Sequence, residues 1–97
     1  MTSPACLVRV VRNDEASRYE AQVDGKVVGF ANYRREGNKV VFTHTEVDPA
    51  SEGHGLGSQL ATRALEDVRA QGLSVVARCP FIIGFMRRHP KFADLLD

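Results

Sequence analysis

The sequence predicts an α+β fold: a mixed sheet in which an N-terminal antiparallel meander runs into one parallel strand–helix–strand crossover, followed by a C-terminal helix. Two observations carry this expectation. Up to Val47, short β-rich runs alternate with polar turns, which is the pattern of a meander. From Glu46 to Cys79, a strand pattern gives way to a Gly-rich turn, then to a helical period, then to a strand again.

Leu7 to Asn13 carries Leu7, Val8, Val10 and Val11 and reads as the first strand. Arg18 to Val23 alternates and ends at Asp24-Gly25, a strong hairpin signal. Val27 to Arg34 is the partner strand, with Val28, Phe30 and Asn32 expected on one face. Glu36-Gly37-Asn38 is the next turn, and Lys39 to Val47 the next strand. Period-two alternation there puts Val40, Phe42, His44 and Glu46 on one side and Val41, Thr43, Thr45 and Val47 on the other. Pro49 then stops the ladder, and Asp48 to Glu52 forms a loop.

A helix is expected from Gly55 to Gln71. Leu56, Leu60, Ala61, Ala64, Leu65 and Val68 share one face with the helical period, and Gly72 supplies the stop. Leu73 to Cys79 is the following strand. Strand, helix and strand demand a right-handed crossover and a parallel pair, expected to end at Val47 and Cys79. Pro80 suits the first position of a helix that carries Phe81, Ile82, Phe85 and Met86 on its apolar side and closes at His89-Pro90. Lys91 to Asp97 is a short, partly helical tail.

The 97 residues fit one domain, 1–97, and the 43% apolar fraction is that of a folded chain. Thirteen basic against twelve acidic residues leave a net charge of +1, so there is no electrostatic footprint for nucleic acid or an anionic membrane. No apolar run approaches the ~20 residues of a membrane span, and the N-terminus lacks the features of a signal peptide. The cytoplasm is the expected compartment, with Cys6 and Cys79 reduced. No spacing suggests a metal site.

Gly53, Gly55 and Gly57 alternate at the point where strand turns to helix. Without a Cβ, glycine lets a ligand approach the backbone and opens positive φ. The first helical turn leaves N–H groups without intrahelical partners at the positive end of the dipole. Together these make an anion cradle, most naturally for phosphate or pyrophosphate, although such a loop also serves as a plain turn.

The combination of H-T-E-V, then E-G-H-G-L-G-S opening one helix, then A-R-C-P-F opening another, resembles the GNAT superfamily of acyl-CoA-dependent N-acyltransferases over essentially the whole chain, closest to its small YjdJ-type branch. The resemblance implies the GNAT-like fold and an acetyl-CoA-dependent N-acetyltransferase acting on an unidentified amine, without a metal. It implies that coenzyme A is held by Val47 and by the backbone of Gly53, His54, Gly55, Leu56, Gly57 and Ser58. Glu52 stands where the family pattern has Arg or Gln, and its carboxylate beside a pyrophosphate would repel unless it points away or binds a neighbouring cation. A partly protonated His54 would offset some of that charge; the alternative is a solvated loop histidine. Family members insert helices between the first two strands, whereas only Asp14-Glu15-Ala16-Ser17 separates Asn13 from Arg18 here. The acceptor side is therefore expected to be open, or completed by another molecule.

Acetyl transfer needs a neutral amine, and a free lysine-like amine has a pKa of about 10.4. His44 or Glu46 could collect its proton, directly or through water, and each has a purely structural alternative. Cys79, just before Pro80, is the expected N-cap of the last main helix, where the dipole favours thiolate. Opposite His44 it would form a Cys/His couple suited to an acetyl-thioester intermediate; the alternative is a small buried residue lining the pantetheine groove. Thr45 reads as a cross-sheet residue, Phe81, Phe85 and Met86 as core. Arg87 and Arg88 read as a solvated helix end, with a ribose-phosphate contact as the alternative, and His89 caps the last carbonyls of its helix. Two other functions stand beside the enzyme: a coenzyme A binding module with little turnover, and a protein-interaction domain using the C-terminal helix. The acceptor is open among protein lysine, polyamine and small amine, and the expected state is a monomer or weak homodimer.

Overall fold

Asp24 and Gly25 both adopt positive φ, 53° and 80°, the backbone that a two-residue hairpin needs to match the twist of its strands. That turn joins β2 (Arg18–Val23) to β3 (Lys26–Glu36), and Gly37, at φ 59°, helps turn β3 into β4 (Lys39–Val47). The computed structural model describes residues 8–48 and 55–96. Within them β1 (Arg9–Asn13) precedes these strands, and α1 (Leu56–Ala70), β5 (Ser74–Ala77), α2 (Pro80–Arg88) and a 3₁₀ segment (Pro90–Leu95) follow. The five strands lie in sequence order, with antiparallel pairing from β1 to β4 and a parallel pair between β4 and β5. This is the expected α+β, GNAT-like arrangement. Leu7, Cys6, Pro49 and the rest of 49–54 lie outside the described residues, as does Asp97.

Two expectations about β4 are corrected. The parallel pair is short: it runs from Lys39 beside Ser74 to Phe42 beside Ala77, and ends with the Arg78 N–H donating to the Phe42 carbonyl at 3.0 Å. It does not extend to Val47 and Cys79, because Pro80 starts α2 and draws the chain away. Thr43 to Val47 therefore have β3 on one side and, among the described residues, no strand on the other. The second correction concerns faces. Asn32 pairs with His44 but Tyr33 pairs with Phe42, so Thr43 is an extra residue, a β-bulge. An inserted residue inverts the alternation beyond it. Val40 and Phe42 face the helices, but so do Thr45 and Val47; His44 and Glu46 turn to the opposite face with Val41. A second register shift leaves Val28, between Gly29 and Val27, with no residue opposite it in β2, so it does not alternate regularly with Phe30 and Asn32.

One core joins the helices to one sheet face. Tyr19, Ala21, Ala31, Val40, Phe42 and Val75 meet all six expected apolar residues of α1, together with Ile82, Phe85 and Met86 of α2. Small Ala21 and Ala31, both fully buried, let α1 approach the sheet closely. The edge of this interface is polar. Asp67 of α1 accepts hydrogen bonds from the Tyr19 hydroxyl at 2.6 Å, Arg12 at 2.8 Å and Gln71 at 2.9 Å. Burial and then the bond to Asp67 raise the Tyr19 phenol well above its ordinary value. At the C-terminal end, Arg69 reaches Asp94 at 2.7 Å and the Lys91 carbonyl at 2.7 Å, tying α1 to the 3₁₀ segment.

No described helix contributes to the other face of the sheet. Its centre is Glu20, 6% exposed, which accepts from Arg18 at 2.8 Å, Asn13 at 3.2 Å and Gln22 at 3.5 Å. The Arg18 guanidinium also lies over the Phe30 ring, 4.8 Å from its centroid. Chiefly through Arg18, these donors hold the Glu20 carboxyl below its ordinary value. A carboxylate with a depressed folded value stabilises the fold above the unfolded value, and that contribution is lost as pH falls through the folded one. Glu20→Gln is expected to lower stability by about 1–3 kcal/mol at pH 7. Urea denaturation of both proteins should show this gap narrowing as the pH is taken below the ordinary carboxylate range.

Candidate functional site

Gly55 is the N-cap of α1 with φ 71° and ψ 17°. Nothing lies within 4 Å of where its Cβ would be, so it is the left-handed backbone that calls for glycine there. Its carbonyl accepts the Gln59 N–H at 3.0 Å, which closes the first turn. Gly55 offers no side-chain cap, and the first turn contains no acid. The N–H groups of Leu56, Gly57 and Ser58 thus stand at the positive end of a fifteen-residue helix without intrahelical partners.

Gly57 is small for a different reason. A Cβ there would come within 2.7 Å of Phe81 Cζ, at the start of α2. The ring of Phe81 occupies the space that a side chain would fill, so the two helix N-termini meet beside the end of β4. A cavity of about 330 Å³ opens at this junction, lined by Thr45, Val47, Gly55, Leu56, Gly57, Ser58 and Phe81. The cavity brings together Val47, Gly55, Leu56, Gly57 and Ser58 of the expected cofactor set. Glu52, Gly53 and His54 lie outside the described residues.

Thr45 and Phe81 are in the cavity wall although the sequence marked neither. The bulge that turns Thr45 inward leaves no signature in a run of β-branched residues, and Phe81 carries the same apolar signal as its core neighbours Ile82 and Phe85. Phe81 is itself only partly buried.

Cys79 is the N-cap of α2, with extended backbone at φ −85° and ψ 126°, and its carbonyl accepts from Ile83 at 3.0 Å. It is a free thiol, 3% exposed, and its Sγ donates to Thr45 Oγ1 at 3.2 Å. His44 is elsewhere. Its Nε2 is 2.8 Å from Glu46 Oε2, and its ring is 6.2 Å from that of Phe30. The expected direct couple between Cys79 and His44 is therefore not formed, because the bulge places them on opposite faces of β4. His44 and Glu46 are instead a pair, with side chains 55% and 63% exposed. Beside them is a second cavity, of about 260 Å³, whose wall includes Arg18, Phe30, Glu46, Val47 and Asp48. Val47 borders both cavities.

At the far end of α2, Arg87 and Arg88 are exposed. His89 Nδ1–H donates to the Phe85 carbonyl at 2.9 Å and its ring stacks on Phe85 at 4.0 Å, the expected capping role. Among the described residues, no group of three or more His, Cys, Asp or Glu is arranged to hold a metal, and no helix is long and apolar enough to cross a membrane.

Residues 18–95 match the sequence model of the family described as GCN5-related N-acetyl-transferase. The chain is similar to the solution structure of a GCN5-like putative N-acetyltransferase from Staphylococcus aureus, with a TM-score of 0.71 and 19% identity, covering 92% of this chain and 87% of that one. It is also similar to the crystal structure of an N-acetyltransferase from Staphylococcus aureus Mu50, with a TM-score of 0.58 and 21% identity, covering 75% of this chain and 50% of that one. Both likenesses are likenesses of fold. No curated protein matches the chain.

The contact between Gly57 and Phe81 yields a direct test. Gly57→Ala should destabilise the protein by about 1–3 kcal/mol through overpacking. Shortening the ring in the double variant Gly57→Ala/Phe81→Leu should return part of the loss, as read by chemical denaturation of the single and double variants.

Proposed function

The chain belongs to the GCN5-related N-acetyltransferase family, and we propose that it moves the acetyl group of acetyl-CoA to the nitrogen of an amine acceptor. The observation that carries the reading is the α1 N-terminus, with no cap from Gly55 and no acid in its first turn, opening into a cavity beside the stretch of β4 that lies beyond its pairing with β5. The first-turn N–H groups of Leu56, Gly57 and Ser58 suit a pyrophosphate, and the family resemblance adds the backbone of Gly53 and His54 to that set. Val47 and Phe81 offer apolar flanks for a pantetheine arm, and Thr45 offers a hydroxyl.

The two faces of β4 divide the labour. The donor binds on the helix side, while the acceptor approaches the face that no described helix covers. There His44 takes the proton from the amine and Glu46 stabilises the imidazolium, a general-base contribution of about 10²–10⁴-fold. The deprotonated nitrogen attacks the acetyl carbon, the C–N bond forms and the C–S bond breaks. A second route, through an acetyl thioester on Cys79, is favoured by the position of that thiol at the N-terminus of α2 in contact with the cavity residue Thr45. In that route His44 is not the base for the thiol. The acceptor is a protein lysine, a polyamine or a small amine, and the enzyme works in the cytoplasm as a monomer or weak homodimer.

Acetyl-CoA should raise the melting temperature saturably, and coenzyme A release should depend on an added amine. His44→Ala should lose about 10²-fold or more in kcat while keeping the thermal shift. A wild-type protein that shows neither a shift nor coenzyme A release across a panel of lysine peptides, polyamines and small amines would remove the enzyme reading. Intact mass after incubation with acetyl-CoA separates the routes, since only the thioester route predicts an adduct that Cys79→Ala abolishes.

A further inference from the structure

Thr45 has a hydrogen-bonding position that an ordinary cross-sheet threonine lacks. Its neighbour across the sheet is Ala31, which offers no polar side chain. Its Oγ1 accepts the Cys79 S–H at 3.2 Å, and its side chain is in the wall of the cavity at the N-terminus of α1. A hydroxyl has one proton and two lone pairs. With one lone pair engaged by Cys79, and with no acceptor among the described residues for its own proton, Thr45 has an O–H to give to whatever occupies the cavity. Cys79, 3% exposed, does not itself line that cavity. The order from inside to outside is thiol, hydroxyl, cavity.

We propose that Thr45 is the proton donor to the sulfur that leaves the acyl donor, and that Cys79 resupplies the proton from behind. This rests on the acetyl-CoA reading above. As the acceptor nitrogen bonds the acetyl carbon, the C–S bond breaks and its electron pair stays on the coenzyme sulfur. The Thr45 O–H proton passes to that sulfur, and the Cys79 S–H proton passes to Thr45 Oγ1. The thiolate left on Cys79 sits at the positive end of the α2 dipole. Once the coenzyme has left, it regains a proton by way of Thr45 from solvent entering the cavity, and His44 releases to solvent the one taken from the amine. The sum is a proton exchanged between two thiols through a hydroxyl, with no oxidant and no covalent enzyme intermediate. Thr45 is then a catalytic residue, and Cys79 a positioning and relay residue that acts through it.

The test is steady-state kinetics on the purified protein, with acetyl-CoA and whichever amine the wild type accepts. Thr45→Val removes the hydroxyl at nearly constant shape and should lower kcat by about 10²-fold, with KM for acetyl-CoA changed little. Thr45→Ser should restore most of the rate. Cys79→Ser, which keeps a donor to Thr45, should retain more activity than Cys79→Ala. Leaving-group chemistry supplies a readout that a structural role would not move: with an acetyl thioester of a strongly acidic aryl thiol, which departs without a proton, the Thr45→Val deficit should shrink. Unchanged kcat in Thr45→Val, a deficit insensitive to the leaving thiol, or a kinetically competent acetyl adduct on Cys79 would each overturn the proposal while leaving acetyl transfer intact. Failure of acetyl transfer itself would instead appear in the wild type, as absence of amine-dependent coenzyme A release.

Discussion

The bulge at Thr43 is the constraint on which the site depends. A β-strand presents its side chains with a period of two, and one extra residue shifts everything beyond it to the other face. Upstream of Thr43, β4 is an ordinary core strand, with Val40 and Phe42 against the helices. Downstream, the residues that continue toward the helices are Thr45 and Val47, and those that turn away are His44 and Glu46. The inversion coincides with the end of pairing to β5 at Phe42. One strand thus offers a cavity wall on one side and a polar pair on the other, just beyond the point where its pairing with β5 ends.

The rest of the fold holds that strand and the α1 N-terminus in a fixed relation. Six apolar residues of α1 lie in the shared core, and Asp67 gathers Tyr19, Arg12 and Gln71 at the helix's far half. Exposed ion pairs contribute little alone; here the hydroxyl of the buried Tyr19 gives the junction direction. Near the N-terminus, glycine at position 57 lets Phe81 close against α1. The first-turn N–H groups are therefore aimed by packed, regular elements.

That no described helix covers the other sheet face follows from chain economy. Asp14 to Ser17 turn β1 directly into β2, with Ser17 at φ 54° and its N–H donating to the Asp14 carbonyl at 3.3 Å. Four residues leave no room for a helix over this face. Glu20 buries its charge there by recruiting Arg18, Asn13 and Gln22 within the sheet itself. What remains accessible at the end of β4 is the His44–Glu46 pair.

Local chemistry made much of this legible. Asp24-Gly25, the helical period of Leu56 to Val68, the stop at Gly72, and Pro80 after Cys79 each act through backbone preferences or burial within a few residues. The elements and their order could therefore be read from the chain, as could the glycine-opened helix that bounds the cavity. The faces of β4 beyond Thr43 could not. A bulge is set by the register against β3, a relation between residues such as Asn32 and His44 that no local pattern encodes. For the same reason only the tertiary structure decided that Cys79 meets Thr45 instead of His44. It also decided that Gly57 answers to the ring of Phe81, a residue two elements away. Sequence determined which segments become strand and helix, because those choices are local; packing determined which side chains share a site, because a one-residue slip in pairing moves every later side chain to the other face.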